Sequence, residues 1–275
     1  MPKDPVSVGA VSSTVMRTPA EIEAAAEAAG STKAELSISR LLVLALLAGC
    51  FIALGGAFML VVKADSSLPF AVSQALGGLV FCLGLFLVLV AGAELFTGNC
   101  LMVAGALSGR YPLSGMLRNW VVVYAGNACG ALVMAGLLSA AAITAIGDGA
   151  VGGAALSVAA SKASLAPAVA FVRGILCNML VCLAVWMGFA GKTVCDKLAA
   201  TILPVCGFVA LGFEHSVANL FFLPFGLLIQ AGMGETLVPL GGVAMNLVCV
   251  TAGNIVGGVL VGAVYWFAYV KRDPA

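Results

Sequence analysis

The chain contains few charged residues, a single histidine and no Cys-x-x-Cys pair. Only 9% of its 275 residues are Asp, Glu, Lys or Arg, whereas a soluble domain carries roughly a quarter. One histidine without a paired cysteine motif cannot build a usual zinc site, so we expect no metal and no cofactor. The net charge of +1, with no basic stripe, argues against a nucleic-acid partner. These absences exclude a soluble domain and a zinc protein.

Most of the chain is apolar, since 62% of its residues are hydrophobic. A helix needs about 20 apolar residues to cross a bilayer, and six segments reach that length. They cover residues 41–62, 70–108, 113–143, 167–190, 198–229 and 237–269. The second and fifth are too long for one crossing. We therefore predict an all-α polytopic membrane protein with six spans, two of them interrupted, and a long loop over 144–166.

The two long segments share the pattern Gly-x-Glu-x-x-x-x-Asn, at residues 92–99 and 212–219. A carboxylate inside a membrane span is costly and therefore rare. Interrupted helices at corresponding positions in the two halves of a membrane protein indicate a transport site. We therefore predict that helices 2 and 5 break at Gly92 and Gly212.

A second match relates the two halves. The pattern Asn-x-Val-x-Val-x-Ala-Gly-Asn-x-x-Gly occurs at residues 119–130 and again at 246–257. Because each unit has three spans, the second unit is expected to be inverted in the membrane. We expect repeats at about residues 37–143 and 163–271, which together form a channel domain over 37–271. Residues 1–36 are expected to form a cytosolic N-terminal helix, and whether it gates the channel stays open.

Positive charges near the span ends predict the orientation. Ten Lys and Arg residues fall on the side that holds both termini, and two fall on the other side. The positive-inside rule therefore places both termini in the cytoplasm of a multi-pass cell (inner) membrane protein. We expect no signal peptide before the first span, because residues 1–36 are polar.

The polar residues inside the spans allow two interpretations each. Glu94 and Glu214 could accept hydrogen bonds from backbone amides freed at the breaks, or could carry protons. His215 could be a core residue, but its place in a break favours pore lining, where a buried imidazole stays neutral and donates one hydrogen bond. Thr97 could cap a helix, or could face His215 across a pseudo-two-fold axis.

Other candidates surround these breaks. Lys162 could be merely solvated, or could attract anions at a pore mouth. Arg173 could extend to the membrane interface or pair with a carboxylate, and the sequence does not distinguish between these two roles. Asn178 could bond between helices or line the pore. The remaining residues expected to hold the breaks or the path are Gly92, Gly212, Asn99, Asn127, Asn219 and Asn254, with apolar constrictions at Phe81, Leu85, Leu95 and Phe208.

The chain resembles the formate/nitrite transporter family in four places. They are residues 93–99 (AELFTGN), 174–187 (GILCNMLVCLAVWM), 212–219 (GFEHSVAN) and the glycine-rich stretch at 253–258. The resemblance implies a homopentamer with an aquaporin-like fold and one anion path through each protomer. It implies that His215 and Thr97 are the central pore residues, that Lys162 is the vestibule lysine and that Asn178 is the pore asparagine. It also implies that Phe81, Phe208, Leu85 and Leu95 form the constrictions.

We therefore expect a pH-dependent, proton-coupled channel for a small monovalent anion in the lipid bilayer. Formate or nitrite is the expected substrate, hydrosulfide is the alternative, and lactate stays open. A cation at the expected pore mouth and an ionisable residue at its centre argue against a pore for neutral solutes. The adjacent positions of His215 and Ser216 argue against a membrane serine hydrolase, because side chains of neighbouring residues normally point apart. The sequence gives neither the direction nor the rate of flux.

Overall fold

A computed structural model describes residues 16–231, 233 and 236–270, and all regular structure in this part of the chain is helical. The predicted N-terminal segment is therefore described only from residue 16 onwards, and residues 1–15 lie outside the described part. The α-helices are α1 (Pro19–Glu35), α2 (Ile38–Lys63), α3 (Phe70–Leu87), α4 (Phe96–Asn99), α5 (Val103–Leu107), α6 (Leu113–Ala140), α7 (Ala150–Ala163), α8 (Pro167–Ala190), α9 (Val194–Ala210), α10 (Ser216–Gln230) and α11 (Leu240–Tyr269).

Five helical segments in the described residues are long and apolar enough to cross a membrane. They are α2, the segment Phe70–Gly92 that contains α3, then α6, α8 and α11. Large apolar side chains such as Val121, Leu203 and Val248 are exposed on the protomer surface, where hydrocarbon or a neighbouring protomer can cover them. The protein is therefore an integral membrane protein.

Two of the helices stop at glycines with a left-handed backbone. α3 continues into a π-helical turn (Val88–Gly92) that ends at Gly92 with φ of +84°, and Ala93 is extended. α9 ends before Gly212, whose φ is +67°. An L side chain is strained at these φ values, so glycine lets the chain leave the helix. Short helices, α4 and α10, then begin at Phe96 and Ser216.

Glycines allow the long helices to approach closely in both halves. α2 packs on α6, and α8 packs on α11. A methyl group placed on Gly130 of α6 would overlap the carbonyl oxygen of Leu46 in α2. One placed on Gly257 of α11 would overlap the carbonyl oxygen of Ile175 in α8. Close backbone contact of this kind stabilises helix pairs in membranes, where burial of apolar surface contributes little.

The prediction of a loop over 144–166 is wrong, because this stretch contains α7. The helix follows left-handed Gly149 and carries paired glycines, which weaken the sequence signal for a helix. Packing stabilises it instead: Ala159 is fully buried against Gly226 of α10. Tertiary contact of this kind outweighs low local propensity.

α1 begins with a reciprocal cap between Thr18 and Glu21. Its Ile22 and Ala26 side chains are buried in the main core. Arg118 donates to the carbonyl of Ala34, in the last turn of α1, and to that of Leu36, just after it. α1 therefore packs against the membrane helices.

Replacing Gly130 with alanine is expected to lower the free energy of unfolding by about 2 kcal/mol, because the added methyl group forces α2 and α6 apart. Gly136→Ala in the same helix is the matched control, since nothing lies within 4 Å of its Cβ position. Thermal unfolding of the detergent-solubilised protein measures both. Equal melting temperatures for the two variants would contradict the close contact.

Candidate functional site

Two cavities flank the breaks, and each is lined by two lysines. The Lys162 cavity has a volume of about 510 Å³ and is lined by residues that include Lys63, Lys162, Arg173 and Glu214. The Lys33 cavity has a volume of about 340 Å³ and is lined by residues that include Lys33, Lys197 and Glu94. Both cavities therefore combine basic side chains with one carboxylate.

At the Lys162 cavity, a buried polar network begins with an ion pair. Lys162 Nζ donates to Glu214 Oε1 at 2.9 Å, and Asn219 Nδ2 donates to Glu214 Oε2 at 2.7 Å. Asn246 accepts a second hydrogen bond from Asn219 and donates to the Lys162 carbonyl at 2.9 Å. The carboxylate is thus paired with a cation and hydrogen-bonded, as a buried charge requires. Asn219, which we expected on the substrate path, lies inside this network and does not line either cavity.

The Lys33 cavity has the same network with different residues. Lys33 Nζ donates to Glu94 Oε1 at 2.7 Å, and Asn99 Nδ2 donates to Glu94 Oε2 at 2.6 Å. Asn119 accepts from Asn99 at 2.8 Å and donates to the Lys33 carbonyl at 3.3 Å. The sequence analysis did not single out Lys33. Its signal was the tripeptide Thr-Lys-Ala at 32–34, which matches Ser-Lys-Ala at 161–163.

Two asparagines hold the extended segments at the breaks. Asn127 accepts from the Phe96 amide at 2.9 Å and donates to the Glu94 carbonyl at 2.9 Å. Asn254 accepts from the Ser216 amide at 2.8 Å and donates to the Glu214 carbonyl at 2.9 Å. The expectation that the glutamate side chains bind the freed amides needs correction. Asparagine side chains do so, because each can donate to a carbonyl and accept from an amide at once.

Thr97 and His215 meet between the two cavities. Thr97 Oγ1 lies 2.9 Å from His215 Nε2, and the two residues are 0% and 3% exposed. His215 Nδ1 accepts from the Ala218 amide at 3.1 Å, so it caps α10. An accepting Nδ1 assigns the proton of the neutral imidazole to Nε2, which then donates to Thr97. The threonine hydroxyl proton has no second partner among the described residues and is free to donate to a ligand.

Asn178 connects the two breaks. Its Nδ2 donates to the Thr97 carbonyl at 3.2 Å and to the Asn254 carbonyl at 2.6 Å. Its Oδ1 is buried with no hydrogen-bond partner in the described part of the chain. Asn178 lines neither cavity, so its observed contacts are those of an asparagine that bonds between helices.

Apolar side chains lie beside the central pair on both sides, and His215 itself also lines the Lys162 cavity. Phe81 and Phe208 both line the Lys162 cavity, with ring centroids 5.9 Å apart in an edge-to-face arrangement. The Phe208 ring also stacks on the His215 imidazole at 5.9 Å. Leu85 and Leu95 line the Lys33 cavity instead. The aromatic pair and the leucine pair therefore belong to different cavities, with Thr97 and His215 close to both pairs.

α1 carries buried carboxyl groups beside the Lys33 cavity. Glu27 accepts from Arg110 Nε at 2.9 Å and from the Ser108 hydroxyl. Glu23 is also buried, and its Oε1 has no partner among the described residues. Burial, together with the neighbouring Glu27 carboxylate, raises the pKa of Glu23 to about 7, whereas Arg110 opposes the shift.

The chain matches known proteins along most of its length. The model of the formate/nitrite transporter family matches residues 20–267. A probable formate transporter of Methanothermobacter thermautotrophicus is 39% identical, over 93% of this chain and 98% of that protein. The formate channel FocA of Escherichia coli strain K12 is 36% identical, over 93% of this chain and 95% of that protein.

Two solved structures also resemble this one. A pentameric formate channel with formate bound superposes with a TM-score of 0.75 at 36% identity, covering 85% of this chain and 98% of that chain. An ion channel of the FNT family superposes with a TM-score of 0.81 at 30% identity, covering 90% of this chain and 98% of that chain.

Removing the lysine of one ion pair is expected to destabilise the protein by about 3 kcal/mol, because a buried carboxylate is left without its cation. The test is Lys162→Met alone and together with Glu214→Gln, measured by thermal unfolding in detergent. The double variant should recover most of the loss. The Lys33–Glu94 pair is a matched replicate with a smaller expected loss, since the Lys33 side chain is 24% exposed and that of Lys162 is 15% exposed. A double variant as unstable as Lys162→Met would contradict this interpretation.

α1 is expected to dock less firmly as the pH rises. The folded pKa of Glu23 is about 7 against an ordinary value of 4.5, so the docked helix binds more protons than the released helix between these values. Docking is therefore strongest at low pH and weakens as the pH rises from about 4.5 through about 7. Hydrogen exchange of α1 at pH 6 and pH 8, corrected for intrinsic rates, measures this. Glu23→Gln should remove the difference, and Glu35→Gln, at an exposed position of α1, should retain it.

Proposed function

The chain belongs to the formate/nitrite transporter family, and on that premise we propose that it is a channel for formate. Proteins of this family are transporters, so the chain is not an enzyme. The substrate is inferred from the names of two relatives and of one similar structure, all of which are described as formate transporters or channels. Nitrite and hydrosulfide are the competing anions for the experiment below.

One observation supports the proposed path best, the buried contact of Thr97 with His215. It offers the Thr97 hydroxyl as a hydrogen-bond donor beside the apolar residues that line the two cavities. An anion entering from the Lys162 cavity passes Phe81 and Phe208, reaches the polar pair, and leaves past Leu85 into the Lys33 cavity. The positive charge of each cavity raises the local anion concentration. The apolar rings exclude hydrated ions and so make dehydration the main barrier.

The proposed proton coupling follows from the hydrogen bonds of His215. With Nδ1 occupied by the Ala218 amide and the Nε2 proton directed to Thr97, the neutral imidazole has no free position for an additional proton. The Thr97 hydroxyl then donates to formate, and a proton from the entry-side solution, relayed by water in the cavity, converts formate to formic acid. One proton therefore crosses with each anion. Neutralising the anion removes most of its dehydration cost. Flux therefore rises as the pH falls.

The proposed assembly and topology extend beyond one protomer. A similar structure is described as pentameric, and we assign the same assembly to this chain. We assign six crossings, with α9 and α10 together forming the fifth, in two inverted repeats. Because Lys33 and Lys162 make equivalent contacts, the repeats include α1 and α7 and cover about residues 19–140 and 150–269. The charge bias along the chain places both termini, and the Lys33 cavity, in the cytoplasm.

The wild-type protein in proteoliposomes is expected to conduct formate faster at pH 6 than at pH 8, and to prefer it over nitrite and hydrosulfide. His215→Asn keeps an acceptor for the Ala218 amide but does not reach Thr97, so the hydroxyl is no longer oriented towards the anion and formate flux should fall at both pH values. Thr97→Val should lower flux at least tenfold, since a hydrogen bond to a charged group is worth roughly 1.5–3 kcal/mol.

Thr97→Ser is the matched control, because it keeps the hydroxyl and should retain most of the flux. Unchanged pH-dependent uptake by His215→Asn would overturn the role of the histidine. Rapid water movement without anion flux in the wild-type protein would overturn the proposed substrate class.

A further inference from the structure

The Lys162 cavity contains more positive charge than its ion pair uses. Lys63, Lys162 and Arg173 line it together with one carboxylate, Glu214, which Lys162 already binds at 2.9 Å. Lys63 donates to the neutral side chain of Gln74 and has no acidic partner among the described residues. The cavity therefore keeps two cations without a counter-ion.

The Arg173 guanidinium makes no hydrogen bond or ion pair with any described residue. Only the backbone of Arg173 is bound, through its carbonyl, which accepts from the Glu214 amide at 3.3 Å. Its side chain is partly buried, lines the cavity and has its Nη1 3.9 Å from the Cβ position of Gly212. A guanidinium has five donors and no acceptor, and a charge inside a helical span is costly. An unpaired arginine that faces a cavity is therefore expected to serve a ligand.

A purely structural role for Arg173 would be to satisfy the carbonyl groups at the C-terminal end of α9, close to Gly212. Those carbonyls already have partners. Leu211, Gly212 and Phe213 donate their amides to the carbonyls of residues 207, 209 and 208, at distances of 2.9 to 3.1 Å. Gln74 Nε2 donates to the Ala210 carbonyl at 3.1 Å. The helix end needs no further donor, so the guanidinium remains free.

Lys63 and Arg173 approach the same turn. Gln74 binds both the Lys63 ammonium and the Ala210 carbonyl, and Arg173 lies beside Gly212, two residues further along the chain. The two cations therefore border one stretch of the cavity wall, beside the Phe208 ring of the aromatic pair. An anion at this place would meet both charges before it meets the apolar constriction.

We propose that Arg173, assisted by Lys63, forms a carboxylate-binding subsite in the Lys162 cavity, which selects planar oxyanions before they enter the constriction. A guanidinium binds a carboxylate through two parallel hydrogen bonds, whereas a one-centre anion such as hydrosulfide accepts without that geometry. Lys63 supplies a point charge that attracts either anion. The inference rests on the proposed function, because it explains preference among anions that pass through the same path.

The test compares Arg173→Lys and Arg173→Gln with wild type, and Arg40→Gln is the matched control because Arg40 is exposed and lines neither cavity. Two readouts are used, equilibrium binding of ¹³C-formate to the detergent-solubilised protein and concentration-dependent flux in proteoliposomes. Arg173→Lys should raise the half-saturating formate concentration about tenfold while changing that of hydrosulfide less than about twofold. Arg173→Gln should weaken formate binding further, and the half-saturating concentrations of Arg40→Gln should equal those of wild type.

Three results would overturn the subsite. They are an unchanged half-saturating formate concentration in both Arg173 variants, an equal shift for formate and hydrosulfide in Arg173→Lys, and formate binding that does not depend on Arg173. Failure of the proposed function gives a different pattern. If wild type conducts no formate but binds it in an Arg173-dependent way, the channel assignment fails and the subsite stands. Melting temperatures of the Arg173 variants should equal that of wild type, since the side chain has no partner to lose.

Discussion

An ionised carboxylate among apolar helices is stable only if a cation and hydrogen-bond donors surround it, and this constraint organises both halves of the protein. Glu94 and Glu214 each receive a lysine on one oxygen and an asparagine on the other. Each lysine comes from a helix outside the broken pair, α1 in one half and α7 in the other. The ion pairs therefore attach the peripheral helices to the breaks, and the positions of α4 and α10 depend on them.

The scaffold is repeated, but the residues at its centre are not. The Lys33 and Lys162 networks share their main contacts but differ in two hydrogen bonds: Lys33 also donates to Asn99, and Asn246 also donates to Glu214. The contacts of Asn127 correspond to those of Asn254. The positions that meet between the cavities differ, since Leu95 in the first break corresponds to His215 in the second. A single imidazole can therefore face a single hydroxyl across the repeat. A symmetric scaffold holds an asymmetric polar pair because the bonds that fix the backbone are separate from the side chains that face the path.

The sequence alone predicted the features that depend on local backbone chemistry or on costly charges. Glycine beside a glutamate in an apolar run marks the places where α3 and α9 end, and the matching asparagine patterns are the basis on which two repeats are predicted. It did not reveal Lys33 or α7, because both depend on contacts between distant segments. Lys33 lies 61 residues from Glu94, in a helix that looked cytosolic, and α7 owes its stability to burial against α10. The contact of Asn219 with Asn246 was not predicted for a related reason, since Asn246 is on another helix.

Because Lys33 and Lys162 are each paired with a carboxylate, they attract an anion only weakly from a distance. A lysine bound to a carboxylate at 2.9 Å forms a dipole, and the field of a dipole falls faster with distance than that of a single charge. Attraction over the length of a cavity must therefore come from cations without an acidic partner. The Lys162 cavity has Lys63 and Arg173, and the Lys33 cavity has Lys197, which donates to the Leu89 carbonyl at 3.2 Å. One set of charges thus holds the starts of α4 and α10 in place, and a different set has no acidic partner among the described residues and is available for the anion attraction that we propose.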